Sequence, residues 1–378
     1  LPILKKVVIA IDSFKGCLPS VEAGKAAAEG IRSVYPECEV ICLPIADGGE
    51  GMLDVLIMAT NGQEVPISAH DPLMRWRNTY YGISENGETA FIEMASISGL
   101  PLVPPERRNP MLTTTYGTGE IIRDALERGC RNFIIGIGGS ATNDAGLGML
   151  QALGFRFSDK EGKEVGTGRG EVLIKVAYID STFVHPALNS CRFTVACDVQ
   201  NPFYGPEGAA YVFAPQKGAD REMVEALDAG LQNFAEVIRH TTGKDISHHP
   251  GAGAAGGMGG SLLAFLNAEL KPGIQLMLEA LDFSNKIKSA DLIITGEGKA
   301  DRQTLMGKVP FGILAEARKQ HIPVILLAGN IEDSDELQQA GFEGVFSVNP
   351  PFISLEEAMR PEVARKNIQQ TDESICKK

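Results

Sequence analysis

Hydrophobic and polar positions follow two different grammars along the chain. Residues 6–11 are apolar and mostly β-branched after Lys6, which predicts a buried parallel strand. Ser20 is placed to cap a helix running to about residue 34, where Pro36 stops it. A second strand at 39–43 and a second helix at 51–59, ended by Asn61-Gly62, complete a βαβα opening. The runs at 64–67, 79–83 and 89–94 are short instead, and the last two are joined by Ser84-Glu85-Asn86-Gly87-Glu88 with its Asn-Gly turn signal. Antiparallel hairpins seldom continue a doubly wound sheet, so a change of domain is expected near residues 60–75.

The middle of the chain then predicts a helix at 118–128, a strand at 133–137, a helix at 145–153 and strands near 193–197 and 210–213. Residues 221–241 carry Met223, Ala226, Leu227, Leu231, Phe234, Val237 and Ile238 at helical spacing. From Asp291 the opening grammar returns, with strands at 292–295, 324–328 and 344–348, a helix at 311–320 and another from Ser354; residues 367–378 read as frayed. The fold class expected is α/β with two α/β domains. A doubly wound, Rossmann- or flavodoxin-like parallel-sheet domain is built from residues 1–65 and 288–378, and a mixed-sheet α/β domain is inserted at 66–287.

A chain of 378 residues exceeds the size at which one hydrophobic core stops growing, which agrees with two domains. The formal charge of -13 gives no general attraction for nucleic acid or anionic lipid, so any anionic ligand must be held locally. No apolar run approaches the ~20 residues of a membrane span, and residues 1–10 lack a secretion-signal pattern. The seven cysteines include no Cys-x-x-Cys pair and are read as reduced thiols in a cytoplasmic protein. His248 and His249 lack partners at zinc spacing and are read as a surface turn.

Candidate chemistry lies where strands end in glycine-rich stretches bearing carboxylates: Asp12-Ser13-Phe14-Lys15-Gly16, Asp47-Gly48-Gly49-Glu50-Gly51, Gly136 through Asp144, and Thr295-Gly296-Glu297-Gly298-Lys299-Ala300-Asp301. Glycine lets backbone N–H groups approach a polyanion, and acids hold a divalent cation. Asp12 is a candidate base or metal ligand, Ser13 a phosphate or hydroxyl contact, and Lys15 a neutralising charge; the same loop also reads as an ordinary turn. Gly48 and Gly49 with Asp47 and Glu50 exceed what a turn requires, although Glu50 also suits a helix dipole. Lys299 and Lys308 can bind phosphate, Glu297 and Asp301 can ligate magnesium, and Gln303-Thr304 extends the polar face. Thr115, in a threonine-rich stretch ahead of a helix, suits a carboxylate or phosphate. Asp198 ends another strand as a further acid.

No Gly-x-x-x-x-Gly-Lys-Ser/Thr occurs. Gly136-Ile137-Gly138-Gly139-Ser140-Ala141 satisfies the dinucleotide pattern G-x-G-x-x-A with Asp159 downstream, and taken alone it suggests a nicotinamide enzyme. Its continuation, Thr142-Asn143-Asp144, places hydroxyl, amide and carboxylate where apolar packing is expected. Those groups suit phosphates, magnesium-bound water or a polyol, or else cap a helix.

In their order these segments resemble the bacterial glycerate kinases of type 1. The likeness is carried by the Asp12 loop, Ala46 to Gly51, Asn109 to Glu120, Gly136 to Asp144 with Gly148 to Gly154, Ala196 to Pro202, Pro215-Gln216-Lys217-Gly218-Ala219, Gly251 to Gly257 and Thr295 to Lys308. Ile11 stands where that pattern usually has proline, Cys17 where serine is common, and Arg302 where a small residue is frequent. The resemblance implies ATP- and magnesium-dependent phosphorylation of D-glycerate, giving 2-phosphoglycerate, in organic-acid, glyoxylate or sugar-diacid breakdown, with the active site between two α/β domains. A monomer or small homo-oligomer acting on ATP and D-glycerate is expected, without nucleic-acid or membrane partners.

Residue chemistry then distributes the roles. Asp12 and Asp47 are the candidates for base, and Lys15 and Lys308 for transition-state charge. Ser13, Gly48, Gly49, Thr115, Gly138, Gly139, Ser140, Asn143, Gly296, Gly298, Lys299 and Thr304 are the candidates for substrate and phosphate binding. Asp144, Asp198, Glu297 and Asp301 are the candidates for Mg2+. The rival readings are an NAD-dependent oxidoreductase using the Gly136 loop and a metabolite-binding sensor without turnover.

Overall fold

The computed structural model describes residues 4–49 and 51–377, so Glu50 lies outside the described residues. The chain divides into a terminal unit, residues 1–47 with 274–378, and an inserted unit, residues 48–273. This differs from the division expected at 65/66 and 287/288. The helix Met52–Ala59 packs on the strands Trp76–Ile83 and Thr89–Glu93 of the inserted unit, with Ile57 pressed against the bare backbone of Gly82. Ile274, early in the helix Gly273–Ala280, seats against Gly312 of the terminal unit.

The terminal unit is built on a five-stranded, wholly parallel sheet in the order Gly344–Ser347, Val324–Ile331, Leu292–Ala300, Lys6–Ile11, Glu39–Cys42. The central strands are buried on both faces and accordingly read as continuous Val/Ile/Leu runs. From Lys6–Ile11 the chain winds outward through the helix Ser20–Val34 to Glu39–Cys42. From Leu292–Ala300 it winds in the opposite direction through Val309–Arg318 to Val324–Ile331. Because such crossovers are right-handed, the two helices take opposite faces, and the winding reverses between the paired strands Lys6–Ile11 and Leu292–Ala300.

The inserted unit holds a six-stranded mixed sheet in the order Glu269–Lys271, Arg192–Ala196, Asn132–Gly136, Thr89–Glu93, Trp76–Ile83, Gln63–His70. Its first four strands are parallel, and the expected hairpin supplies the antiparallel edge. The longest helix, Arg221–Thr242, is capped by Asp220, whose carboxylate accepts from Met223 N at 2.9 Å. His248 and His249 are exposed at a turn, as expected. No helix among the described residues is long and apolar enough to cross a membrane.

Three local expectations are corrected. Residues 210–213 lie in a helix, Ala209–Phe213, that buries Ala209 and Ala210 and exposes Tyr211 and Val212, so packing overrides the β preference of Tyr and Val. The strand expected to end at Thr295 continues to Ala300, because Gly296, Glu297, Lys299 and Ala300 pair with Leu327, Ala328, Asn330 and Ile331. The tail is not frayed: Pro361–Cys376 is a helix that buries Ala364, Ile368, Asp372, Ile375 and Cys376 along one stripe and packs against Ser20–Val34.

The approach of those two helices rests on Gly30, where an added Cβ would stand 2.4 Å from the carbonyl oxygen of Gln369 and 3.0 Å from Asp372 Cβ. Alanine favours a helix interior over glycine by about 1 kcal/mol. Gly30→Ala is nevertheless expected to lower the thermal unfolding midpoint, and a raised midpoint would contradict this packing.

Candidate functional site

At the carboxyl ends of the terminal unit's strands, beside the reversal of winding, lies a cavity of about 440 Å³. This is where open parallel sheets leave room for ligands. The strand Lys6–Ile11 delivers Asp12, Ser13 and Lys15 to its wall, and Leu292–Ala300 delivers Glu297, Gly298 and Lys299. Asp47 and Lys308 complete the charged portion.

Asp12 is buried, with one carboxylate oxygen accepting from Ser13 N at 2.7 Å. Burial, and then the neighbouring Asp47 carboxylate, push its pKa up to about 7. Lys15 Nζ stands 3.5 Å from Asp47 Oδ2, and that carboxylate chiefly raises the lysine's pKa. Glu297 is raised by burial against the pull of its two partners: Thr304 Oγ1 donates to it at 2.6 Å, and Lys308 Nζ lies 3.4 Å away. The Thr304 hydroxyl also accepts from Asp301 N at 3.0 Å, while the Asp301 carboxylate accepts from Gln303 N at 2.9 Å and pairs with Lys299 at 3.4 Å. Asp301 therefore caps the turn Arg302–Met306. Gly296 lies under Leu327 of the adjoining strand, its virtual Cβ 2.6 Å from that residue's carbonyl oxygen.

The inserted unit brings a second set together. Its Asp144 is fully buried and accepts from Thr115 N and Oγ1, both at 2.8 Å, Gly146 N at 3.1 Å and Gly148 N at 3.2 Å. Burial pushes its pKa up against those donors. Beside it is a residue to which sequence reasoning gave no role. Lys217 is 2 % exposed, and its Nζ donates to Ser140 Oγ at 2.7 Å and to the carbonyl of Thr142 at 2.6 Å. Burial pulls its pKa down to about 7, with Asp144 opposing. A neutral amine has two N–H bonds, enough for both acceptors. The available signals were the segment Pro215-Gln216-Lys217-Gly218-Ala219, which carries part of the family likeness, and its setting after small apolar residues, Ala209, Ala210 and Ala214.

Asn143 is buried with neither amide atom hydrogen-bonded, and Thr142 Oγ1 is likewise without a partner. Gly138 and Gly139 are exposed, Gly139 at φ +71°. Gly48 adopts φ +90°, and a Cβ there would meet Gly273 and Ala196. Gly49 lies in the bend that follows. Asp198 accepts from Gly273 N at 2.8 Å.

The dinucleotide reading fails on geometry. The helix after the Gly136 loop begins only at Leu147, so the motif's glycines do not open a helix, and Asp159 shapes a turn by accepting from Glu161 N and Lys163 N. Among the described residues, no group of three or more His, Cys, Asp or Glu side chains forms a metal-ligand set. Magnesium keeps most of its shell as water and phosphate and takes only one or two carboxylates, which suits Glu297 at the cavity wall.

Lys217 is expected to leave a pH signature in stability. Its folded-state pKa is depressed below 10.5, so its contribution is complete above that value and is lost as pH falls through about 7. The stability advantage of wild type over Lys217→Met, read by denaturant unfolding, should widen from about pH 7 to about pH 9 with a slope below about 1.4 kcal/mol per unit. A difference independent of pH would contradict the buried amine.

The profile of the Glycerate kinase family matches residues 7–378. The chain is 48% identical over 356 residues to the glycerate 2-kinase of Escherichia coli (strain K12), covering 94% of this chain and 93% of the relative. It is 46% identical over 372 residues to the glycerate kinase of Bacillus subtilis (strain 168), covering 98% and 97%. A crystal structure named for glycerate kinase 2 from Salmonella typhimurium LT2 superposes with a TM-score of 0.90 at 44% identity, covering 99% of this chain and 98% of that one. With a family match over nearly its whole length and relatives this similar, the chain belongs to the glycerate kinase family.

Proposed function

We propose that this chain transfers the γ-phosphoryl group of ATP to a hydroxyl of D-glycerate, with the charged end of the terminal unit's cavity as the reacting centre. The observation that carries this assignment is Asp12: a buried aspartate raised to about 7, facing a cavity that also presents Lys15, Lys308 and Glu297. A general base works best with a pKa near the working pH, and Asp12 has one oxygen committed to Ser13 N and the other open for a substrate hydroxyl. Asp47 holds Lys15 and lifts Asp12, which is a tuning role.

Lys15 and Lys308 supply positive charge to the transferring group, and Ser13, Lys299 and the backbone at Gly296 and Gly298 position phosphate oxygens. Thr304 holds Glu297 in place. When bound, Mg2+ neutralises charge on the phosphate oxygens, and Glu297 is the carboxylate proposed to hold it. Of the four candidate acids Glu297 lines the cavity, whereas Asp144, Asp198 and Asp301 are not among its wall residues, so they rank below Glu297 as ligands. Within the inserted unit taken by itself, Gly138, Gly139, Ser140 and Asn143 are proposed as groups for substrate or phosphate, with Thr115 and Asp144 bracing that loop and Gly48 and Gly49 offering backbone amides. The name of the Escherichia coli relative favours 2-phosphoglycerate as product. Phosphorus NMR of the product tests this, and a signal from 3-phosphoglycerate would reject it. Seven unpaired thiols suit a reducing cytoplasm.

Asp12→Asn is expected to lower glycerate-dependent kcat by about 100-fold or more. It should also abolish an acid limb in the kcat/KM profile near pH 7. Stability should move the other way. The folded-state pKa of Asp12 lies above its unfolded value, so its contribution is full below 3.8 and is lost as pH rises through about 7. At alkaline pH the variant should therefore be more stable than wild type, by at most about 4 kcal/mol. Near-normal turnover with an intact acid limb would move the base elsewhere.

A further inference from the structure

The charged groups occupy only part of the cavity wall. Another part is apolar: Phe14, Val348, Leu355, Ala358, Met359 and Ala364. Leu355 is 78 % exposed and Met359 38 %, so apolar surface faces solvent here without a protein partner. Neither a triphosphate nor a three-carbon hydroxy acid has a surface that gains from such a wall, whereas a purine ring does. The floor is bare backbone, because Gly298 and Gly329 lie on adjoining strands and a Cβ on Gly329 would stand 2.7 Å from the Gly298 carbonyl oxygen.

Asn349, also in the wall, has its amide orientation fixed from both sides. Its Nδ2 donates to the carbonyl of Gly329 at 2.8 Å, and its Oδ1 accepts from Asn367 Nδ2 at 3.2 Å. One N–H and one carbonyl lone pair are left over, the complement of the donor and acceptor pair on an adenine edge.

Resting on the reading that this cavity binds ATP, we propose that its apolar end, lined by Phe14, Val348, Leu355, Ala358 and Met359, seats the adenine ring, with Asn349 reading the ring's edge. ATP then lies along the carboxyl ends of the strands, its base against the segment 348–359 and its terminal phosphate toward Asp12 and Lys308. Adenine selectivity follows from the pinned amide, since a guanine edge presents donors where Asn349 also offers one.

The test is steady-state kinetics on the full chain with ATP and GTP. Truncating two apolar contacts in Leu355→Ala/Met359→Ala should raise the KM for ATP about tenfold while the KM for glycerate stays within about twofold. Asn349→Asp, which offers only acceptors, should move the ratio of kcat/KM for ATP over GTP toward GTP by about tenfold, a gain that misfolding cannot imitate. An unchanged KM for ATP with an unchanged nucleotide ratio overturns the proposal, as does a rise in the KM for glycerate in its place. If the wild type consumes no ATP on adding glycerate, the kinase reading fails separately. Calorimetry then still decides the seat: ADP must bind the wild type more tightly than pyrophosphate and lose that margin in the double variant, and equal binding rejects it.

Discussion

The pairing of Lys6–Ile11 with Leu292–Ala300 is the constraint on which the reacting centre depends. Its register sets Ile11 opposite Gly296, and Asp12 N donates to the Gly296 carbonyl at 2.9 Å, so the next residue along each strand is an acid, Asp12 on one and Glu297 on the other. The Thr295 hydroxyl, donating to the Ala10 carbonyl at 2.7 Å in the buried interior, locks that register. A slip of one residue would turn every side chain of the strand to the opposite face and separate the two acids. Two carboxylates brought together out of water repel, and Lys15 and Lys308 stand where they offset this. Strand order and charge placement are thus one arrangement seen at two scales.

Buried acids in this protein are handled in three ways, and the contrast separates structural from chemical roles. Asp144 is surrounded by four donors from backbone and threonine and has little capacity left for anything else. Asp372, in the last helix, has no hydrogen-bond partner on either oxygen, and burial pushes its pKa well up. Asp12 lies between these cases, with one donor, a facing acid and an open cavity. In that intermediate state burial and the facing acid push Asp12 up to about 7, within the physiological range.

Much of the architecture was legible because hydrophobic periodicity reports burial directly. Continuous apolar runs marked the parallel strands, the Asn-Gly turn marked the hairpin, and the return of the opening pattern near Asp291 marked one sheet made from both ends of the chain. Where the reading failed, tertiary packing decided. The final helix carries Asn367 and Asp372 in its buried stripe, which hid its amphipathicity, and the glycines around Glu297 suggested a loop although they sit in a strand so that a neighbouring backbone can approach. At the site, acids on glycine-rich stretches were visible in sequence. The segment around Lys217 was marked by the resemblance but not the role of its amine, and Asn349 was not marked at all, because a lysine or asparagine gains its meaning from burial and pinned geometry.

Arg302 stands where the resemblance leads one to expect a small residue, and its surroundings explain how the long side chain is accommodated. Its guanidinium pairs with Glu336 through both Nε, at 2.8 Å, and Nη2, while its backbone N donates to Asp333 Oδ2 at 3.3 Å. Both acids belong to the start of the helix Ser334–Gln339 and its cap, so the long side chain is directed along that helix and away from the cavity wall. The backbone of the turn is fixed independently by the Asp301 and Thr304 capping box, whose Thr304 hydroxyl in turn holds Glu297. The geometry that matters at the site thus passes through Asp301 and Thr304, and Arg302 occupies the one side of the turn where size and charge do not reach it.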